Sequence, residues 1–406
     1  MKDKHLSSAS RLGRRSALAW LAAGLGSPLL PTQLALAGSS DDEQAPRLVV
    51  VMLRGALDGL AAVPAIGDPA WAALRGEGQP AAVGAGSETE RPLNGSLFAL
   101  HPALRQLHGW WEERQLLVFH AIASPYRERS HFDAQQLLES GGERPFALQT
   151  GWLGRALQAA GQPGVALSPA MPVALRGADQ ASTWTPSRQP ERIDTELLAR
   201  VGRLYAADAP LAEAWSRALA QQGLVEQAGM AGGMGAGPSD GFTDLARQAG
   251  RLLAAPRGAR VAWLESSGWD THTQQAQRLQ RLLAALDQGL AALREGLGTH
   301  WQRSTVLVMT EFGRSAVLNG SGGTDHGTGG MALLAGGAVA GGRVIADWPG
   351  LAPAALLDGR DLRPTQDIRR LIGAVLQRQF GLSRAQLQAG VLPGAPSAEP
   401  LGLWRS

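Results

Sequence analysis

The 406 residues include 38 basic and 35 acidic side chains, eight histidines and no cysteine, so disulfides and thiolate metal sites are excluded. Residues 1–37 hold five of the basic residues and one of the acidic ones; the rest of the chain is close to neutral and carries no footprint of nucleic-acid binding. Lys2 and Lys4 are the only lysines, which removes a lysine Schiff base, a pyridoxal phosphate anchor and a phosphate-loop lysine from everything downstream.

The chain opens with a basic stretch ending in Arg14 and Arg15, an apolar run Ala17–Leu25 and the small-residue tripeptide Ala35-Leu36-Ala37. These are the three parts of an export signal, with cleavage expected before Gly38. Paired arginines before Ser16, Ala17 and Leu18 point to the twin-arginine route, with the twin-arginine translocase as partner and the periplasm or the cell exterior as destination. The general secretory route and an uncleaved anchor are the alternatives. Residues 38–46 read as a polar tether and 47–406 as one α/β domain, although length alone also allows two. No later stretch approaches the ~18 uninterrupted apolar residues of a membrane span.

Leu48–Leu53 is a valine-rich, continuous apolar run, the pattern of a strand buried on both faces; Asp58 follows just beyond its end. Pro102–Glu113 has helical spacing and leads into a second such run, Leu116–Ile122. Ser130, His131, Phe132 and Asp133 open a helix to about Ser140, with Ser130 as N-cap and Asp133 in the first turn. The stretch from Gly151 to about Gln222 is expected to be mostly helical, interrupted near Pro186 and Pro190. Residues 229–239, rich in Gly and Met, are expected to form neither helix nor strand and to be a surface loop or a lid.

The second half repeats the alternation. Arg260–Glu265 reads as a strand, followed by Asp270 and His272 and an amphipathic helix from about Gln274 to Leu297. Ser304–Thr310 is another valine-rich strand, ending in Glu311-Phe312-Gly313-Arg314; a glycine-rich loop then carries Asp325 and His326 ahead of the apolar run Met331–Ala335. Strands alternating with helices predict a doubly wound, mostly parallel sheet sandwiched by helices.

Four segments therefore deliver acidic, imidazole or hydroxyl groups beyond a strand: Asp58; Ser130 with His131; Asp270 with His272; and Glu311 with Asp325 and His326. Such groups bind hard or borderline divalent cations, and strand ends bring distant residues to one rim. Spacing alone leaves open that each Asp-x-His pair is a capping carboxylate beside a surface histidine, and that Ser130 only caps its helix. His101, His108, His120 and His300 lie in or beside apolar elements and read as structural. Among the twelve tryptophans, Trp110, Trp111, Trp184 and Trp269 line either a sugar-binding surface or the core.

Five segments carry a resemblance: Leu53-Arg54-Gly55-Ala56-Leu57-Asp58-Gly59, Ser124-Pro125-Tyr126-Arg127-Glu128-Arg129-Ser130-His131-Phe132-Asp133, Gly268-Trp269-Asp270-Thr271-His272, Thr310-Glu311-Phe312-Gly313-Arg314 and Gly323-Thr324-Asp325-His326-Gly327. In order, they resemble the motifs of an exported family catalogued as domain of unknown function 1501, itself similar to the alkaline phosphatase-like superfamily of phosphatases, sulfatases and cofactor-independent phosphoglycerate mutases. The resemblance implies a doubly wound α/β sandwich, one or two zinc or manganese ions and a Ser or Thr nucleophile at a helix N-terminus. Residue by residue, it implies Asp58 as the carboxylate after the first strand, Ser130 as the nucleophile, and Asp270, His272 and His326 around one metal. At the second site Glu311 and Phe312 stand where the superfamily has Asp and His, so Asp325 or His131 would have to supply the missing ligand. Arg127, Arg129 and Arg314 either clamp an anion or pair with carboxylates. The function expected is an exported metal-dependent hydrolase of phosphate or sulfate esters; the alternative is a catalytically silent, metal-stabilised binding protein for an extracellular polymer.

Overall fold

The structure, a computed structural model, describes residues 44–75, 91–93, 95, 97–185, 195–206, 208, 211–213, 215–216, 240–256, 258–397 and 402–405. The expected signal peptide at 1–37, the tether apart from residues 44–46, and the Gly/Met-rich loop at 229–239 lie outside the described residues.

Strand β1, Arg47–Arg54, sits inside the sheet because its side chains are apolar on both faces. Leu48, Val50 and Met52 enter one core, while Val49, Val51 and Leu53 enter the other. The further strands are β2 (Arg91–Pro92), β3 (Ala99–Leu100), β4 (Leu116–Ala123), β5 (Gly164–Ala166), β6 (Ala181–Thr183), β7 (Val261–Ser267), β8 (Ser304–Thr310), β9 (Gly330–Ala335), β10 (Arg343–Ile345) and β11 (Gln366–Asp367). Strands β2 and β3 form a separate antiparallel ribbon. The other nine form one sheet in the order β10-β4-β9-β8-β1-β7-β5-β6, with β11 also on β4. All its pairings are parallel except those of β9, which runs against both β4 and β8.

Both faces bury full-sized side chains, each contributing about 1.5–3 kcal/mol, so each face needs its own layer of helices. On one face the long helix Gln275–Leu297 lays down Leu279, Leu283, Leu286 and Leu290, beside helices Asp240–Ala254 and Arg105–Glu112. The last of these has no side-chain cap of its own; Asp287 of the long helix accepts from Gln106 N and Leu107 N at 2.9 Å each. On the other face lie helices Trp152–Ala160 and Ile368–Phe380, together with Leu138 of helix His131–Ser140. The doubly wound α/β arrangement expected from the alternation is the one observed. No helix among the described residues is long and apolar enough to cross a membrane.

The middle of the chain adds two strands to what was expected. Helices Trp152–Ala160 and Thr195–Tyr205 lie in the stretch expected to be mostly helical, but between them it also holds the two short strands β5 and β6. At three residues each, these strands are too short to set up a period of two, and they are strands only because β5 pairs with the edge of β7. Trp110, Trp111, Trp184 and Trp269 are all buried in the core on the side of the long helix and form no surface.

One consequence of this topology matters for the site. Strands β1, β4, β7 and β8 run the same way and β9 runs against them, so four carboxyl ends and the amino end of β9 meet at one edge. The order β4-β9-β8-β1-β7 makes the five strands contiguous there.

Candidate metal centre

Beyond β4 the chain turns through Arg129, which holds a left-handed φ of 62°, and enters helix His131–Ser140 at Ser130. The entry is locked from below. Buried Tyr126 accepts from Ser130 N through its hydroxyl (3.3 Å) and donates to Asp133 Oδ2 (3.1 Å), while Ser130 Oγ accepts from Asp133 N at 3.5 Å. Beyond β7, the turn at Gly268 brings out Asp270 and His272. It lies so close to the turn after β1 that a Cβ on Gly55 (φ 117°) would fall 2.5 Å from Asp270 N, which only glycine avoids. Beyond β8 come Glu311, Phe312 and Arg314, and ahead of β9 come Asp325 and His326.

These turns bring His131, Asp270 and His326 together, with one ligand atom from each lying within 4.8 Å of the others. His131 Nε2 and His326 Nε2 are 3.0 Å apart; Asp270 Oδ1 lies 3.3 Å from His326 Nε2, and Asp270 Oδ2 lies 3.5 Å from His131 Nε2. His272 adjoins the group, its Nε2 3.0 Å from both His326 Nε2 and Asp270 Oδ1.

Each imidazole is held from behind by an acceptor. His131 Nδ1 meets Glu311 Oε1 at 2.8 Å, His326 Nδ1 meets the Arg129 carbonyl at 2.9 Å, and His272 Nδ1 meets Asp325 Oδ1 at 3.3 Å. A carboxylate and a peptide carbonyl only accept, so each Nδ1 carries a hydrogen and the three Nε2 atoms are the ones that face one another and Asp270. Two bare lone pairs 3.0 Å apart repel, and either a proton on one Nε2 or a cation between them relieves that repulsion. The donor set, imidazole nitrogens and a carboxylate, is one that can hold a divalent cation.

The electrostatics follow from the same contacts. The hydrogen bond that His131 donates to Glu311 pushes the His131 pKa up, against burial. Burial, followed by the charge of His131, pushes that of His326 down, so one proton on the pair opposes the next. Burial works to raise the Asp270 pKa, but the hydrogen bond and charge of Arg314, with help from His272 and His131, outweigh it and keep the carboxyl below its ordinary range. Glu311 behaves alike: burial raises its pKa, and the hydrogen bonds from His131 and Gln135 bring it below the ordinary value.

The other residues singled out in the sequence take different places. Glu311 and Asp325 stand behind imidazoles. Asp58 is buried away from the group, held by Arg75 (2.7 and 3.2 Å) and by Gln275 Nε2 (2.7 Å) while it caps the helical turn Gly59–Ala62. Arg314 is buried and spends its donors on Asp270 Oδ1 (2.5 Å) and on Thr324, which makes it a fixed cation beside the carboxylate. Arg127 donates to the carbonyls of Ser124 and Tyr126, and Arg129 pairs with Asp361 at 2.8 Å. Phe312 packs its ring against those of His131 and His326 at centroid distances of 4.8 and 5.4 Å, forming a small apolar floor with Ala56, Tyr126, Ala134 and Leu137.

Several participants escape a reading of the sequence. Gln135 donates to Glu311 Oε1 (2.8 Å) and accepts from Arg54 (2.8 Å), whose guanidinium also pairs with Glu265 and Glu139. Asn319 donates to Asp325 Oδ1 at 3.1 Å. Signals exist for Gln135, which lies four residues after His131 on one helix face, and for Arg54, which stands in the first of the five motif segments; Asn319 has none.

The family described as "Protein of unknown function (DUF1501)" matches residues 120–391. No curated protein matches the sequence. The fold is similar to that of Ps i-CgsB in complex with k-i-k-neocarrahexaose, at 11% identity over 86% of this chain and 75% of that one, with a TM-score of 0.44. It is also similar to the C-terminal periplasmic domain of EcEptC from Escherichia coli in complex with Zn (11% identity, 76% and 77% covered, TM-score 0.37). A third similar structure is a protein in the alkaline phosphatase superfamily from Vibrio parahaemolyticus (12% identity, 77% and 65% covered, TM-score 0.37). The likeness is one of fold.

Proposed function

The chain belongs to the family described as protein of unknown function (DUF1501), and we propose that it is an exported metal-dependent hydrolase of phosphate or sulfate esters, acting in the periplasm or outside the cell. One observation carries this reading: three imidazole Nε2 atoms and a carboxylate converge, and each ring is oriented from behind by an acceptor. His131, Asp270 and His326 would hold the ion, with His272 beside them, and zinc suits this nitrogen-rich set better than manganese. Bound there, it would supply Lewis acidity toward an ester oxygen and toward a nearby hydroxyl. Arg314 keeps Asp270 ionised for that role. Ser130 offers the hydroxyl for attack: it precedes His131 at the helix N-terminus, where the dipole favours negative charge, and the contact it accepts from Asp133 N is long. Export is supported by the signal pattern at residues 1–37.

A second reading, a catalytically silent binding protein for an extracellular polymer, is favoured by the fate of two guanidiniums. Arg314 spends its donors inside the protein, leaving no anion clamp from it, and Arg127 turns Nη1 onto two backbone carbonyls. Metal analysis and an ester panel on the purified mature protein separate the two. The hydrolase is expected to carry about one equivalent of zinc and to cleave para-nitrophenyl phosphate or sulfate, with Ser130→Ala abolishing turnover. Bound metal without turnover on any ester, combined with retention on a polysaccharide column, selects the binding protein. Absence of bound metal removes both.

A further inference from the structure

The three imidazoles are not anchored alike. His131 and His272 have carboxylates behind them, Glu311 and Asp325, whereas His326 Nδ1 has a peptide carbonyl, that of Arg129, at 2.9 Å. A side-chain anchor is set by its own rotamer; a carbonyl is aimed only by the backbone dihedrals beside its planar peptide. Arg129 stands just ahead of Ser130, whose carbonyl accepts the first bond of helix His131–Ser140 from Ala134 N at 2.9 Å, so the Arg129 carbonyl lies outside the helical ladder. Arg129 itself has a φ of 62°, a left-handed conformation that glycine enters without a Cβ clash and arginine does not. Glycine would serve the turn better, so the turn alone does not explain an arginine here.

The other end of the side chain does. Arg129 Nε and Nη2 each lie 2.8 Å from Asp361 Oδ2, and Arg360 Nη1 lies 3.0 Å from Oδ1. Asp361 is fully buried, and a carboxylate out of water needs cations or donors against it. Its backbone is fixed as well. Asp361 N and O bond to Leu357 O and N at 3.0 and 2.9 Å, and Asp361 pairs with Ser315 in an antiparallel bridge. On either side of it, Arg360 O accepts from Ala316 N at 3.0 Å and Leu362 O from Gly329 N at 2.9 Å. Ser315 and Ala316 follow β8 and Gly329 precedes β9, so the carboxylate is bound to the two loop ends between which His326 is carried.

We infer that Arg129 and Asp361 are a positioning pair for His326. Their ion pair holds the Arg129 peptide in its left-handed turn, and the carbonyl of that peptide holds the ring so that Nε2 faces His131, His272 and Asp270. Neither residue needs to touch substrate. The consequence for metal affinity rests on the metal-dependent reading of the site; the orientation of the ring does not.

Nitrogen-15 NMR of the histidine rings in the metal-free protein reads that orientation, with the His326 signal assigned by its loss in His326→Gln. The wild type is expected to show a hydrogen-bonded, slowly exchanging Nδ1–H on His326. Arg129→Gly, whose backbone accepts the turn but whose side chain cannot reach Asp361, is expected to lose it, and Arg129→Lys to keep it. In zinc titrations, Arg129→Gly and Asp361→Asn are each expected to lower affinity about tenfold with circular dichroism unchanged. The double variant is expected to fall no further than either single one, whereas the losses from Arg129→Gly and Gln135→Leu multiply, because they act on different imidazoles. An Arg129→Gly protein that keeps the ring signal, or losses at 129 and 361 that multiply, overturns the pair. Should Asp361→Asn fail to fold, the ring signal in Arg129→Gly decides alone. A wild type that binds no zinc removes the metal reading, and the ring signal still decides whether the pair positions His326.

Discussion

His131 and His272 touch the same two partners, His326 and Asp270, yet they are held in opposite ways. Behind His131 stands Glu311, its side chain 0% exposed, receiving hydrogen bonds from Gly55 N and Gln135 Nε2 with the Thr310 hydroxyl 2.9 Å from its other oxygen. Phe312 braces the ring from below. Behind His272 stands Asp325, 51% exposed, with Asn319 as its neighbour. Low dielectric strengthens orienting hydrogen bonds on the first side, and water weakens them on the second. The His131 half is therefore fixed by the core, and the His272 half is free to adapt to whatever binds.

The strongest test removes the buried anchor. Glu311→Ala strands several buried donors, and unfolding free energy is expected to fall by about 3–5 kcal/mol, with zinc affinity lowered about 10- to 100-fold; thermal denaturation and metal titration check both. Should Asp325→Ala produce losses as large, the contrast between the halves is wrong.

Acid probes burial in the core away from the metal group. Burial holds His101 and His120 at about 4, below the ordinary 6.5, with His120 Nε2 on the Val63 carbonyl at 3.0 Å and its Nδ1 accepting from Ala121 N. The unfolded chain takes up protons that the folded one refuses, so this stability is complete above about pH 6.5 and is lost as pH falls toward about 4, by about 3 kcal/mol per histidine. His120→Gln is expected to remove about half of that slope in urea titrations across the window.

Next in size is the relay behind Glu311. Gln135→Leu leaves Glu311 and Arg54 each one partner short, and zinc affinity is expected to fall about tenfold with the fold retained, as read by metal titration and circular dichroism. Smallest is the exposed half. Asp325→Asn is expected to change unfolding free energy by less than about 1 kcal/mol, because exposed pairs are worth little. A larger loss would show that Asp325 anchors its imidazole as firmly as Glu311 does.

Legibility in the sequence follows the same division between core and site. Strands β1, β4 and β8 are readable because burial on both faces writes an unbroken apolar run, and the long helix is readable because its leucines recur at its own period. Strands β5 and β6 are not, since three residues carry no period. Asp270, His272 and His326 are readable as candidates because they follow or precede strands that end at one edge. Asp58 and Arg314 differ: the sequence does not show that Asp58 is held by Arg75 and Gln275, or that Arg314 turns its donors onto Asp270 and Thr324.

By itself the sequence determined the alternation of strands and helices, the absence of thiolate and lysine chemistry, and the pool of side chains from which a site could be drawn. Periodicity and composition are properties of neighbouring residues, so no folded contact is needed to read them. Only the tertiary structure decided which members of the pool became inward-facing donors and which became their anchors. That choice depends on which oxygen lies behind which imidazole, and a contact such as Glu311 to His131 joins residues 180 positions apart whose meeting depends on the order of the strands.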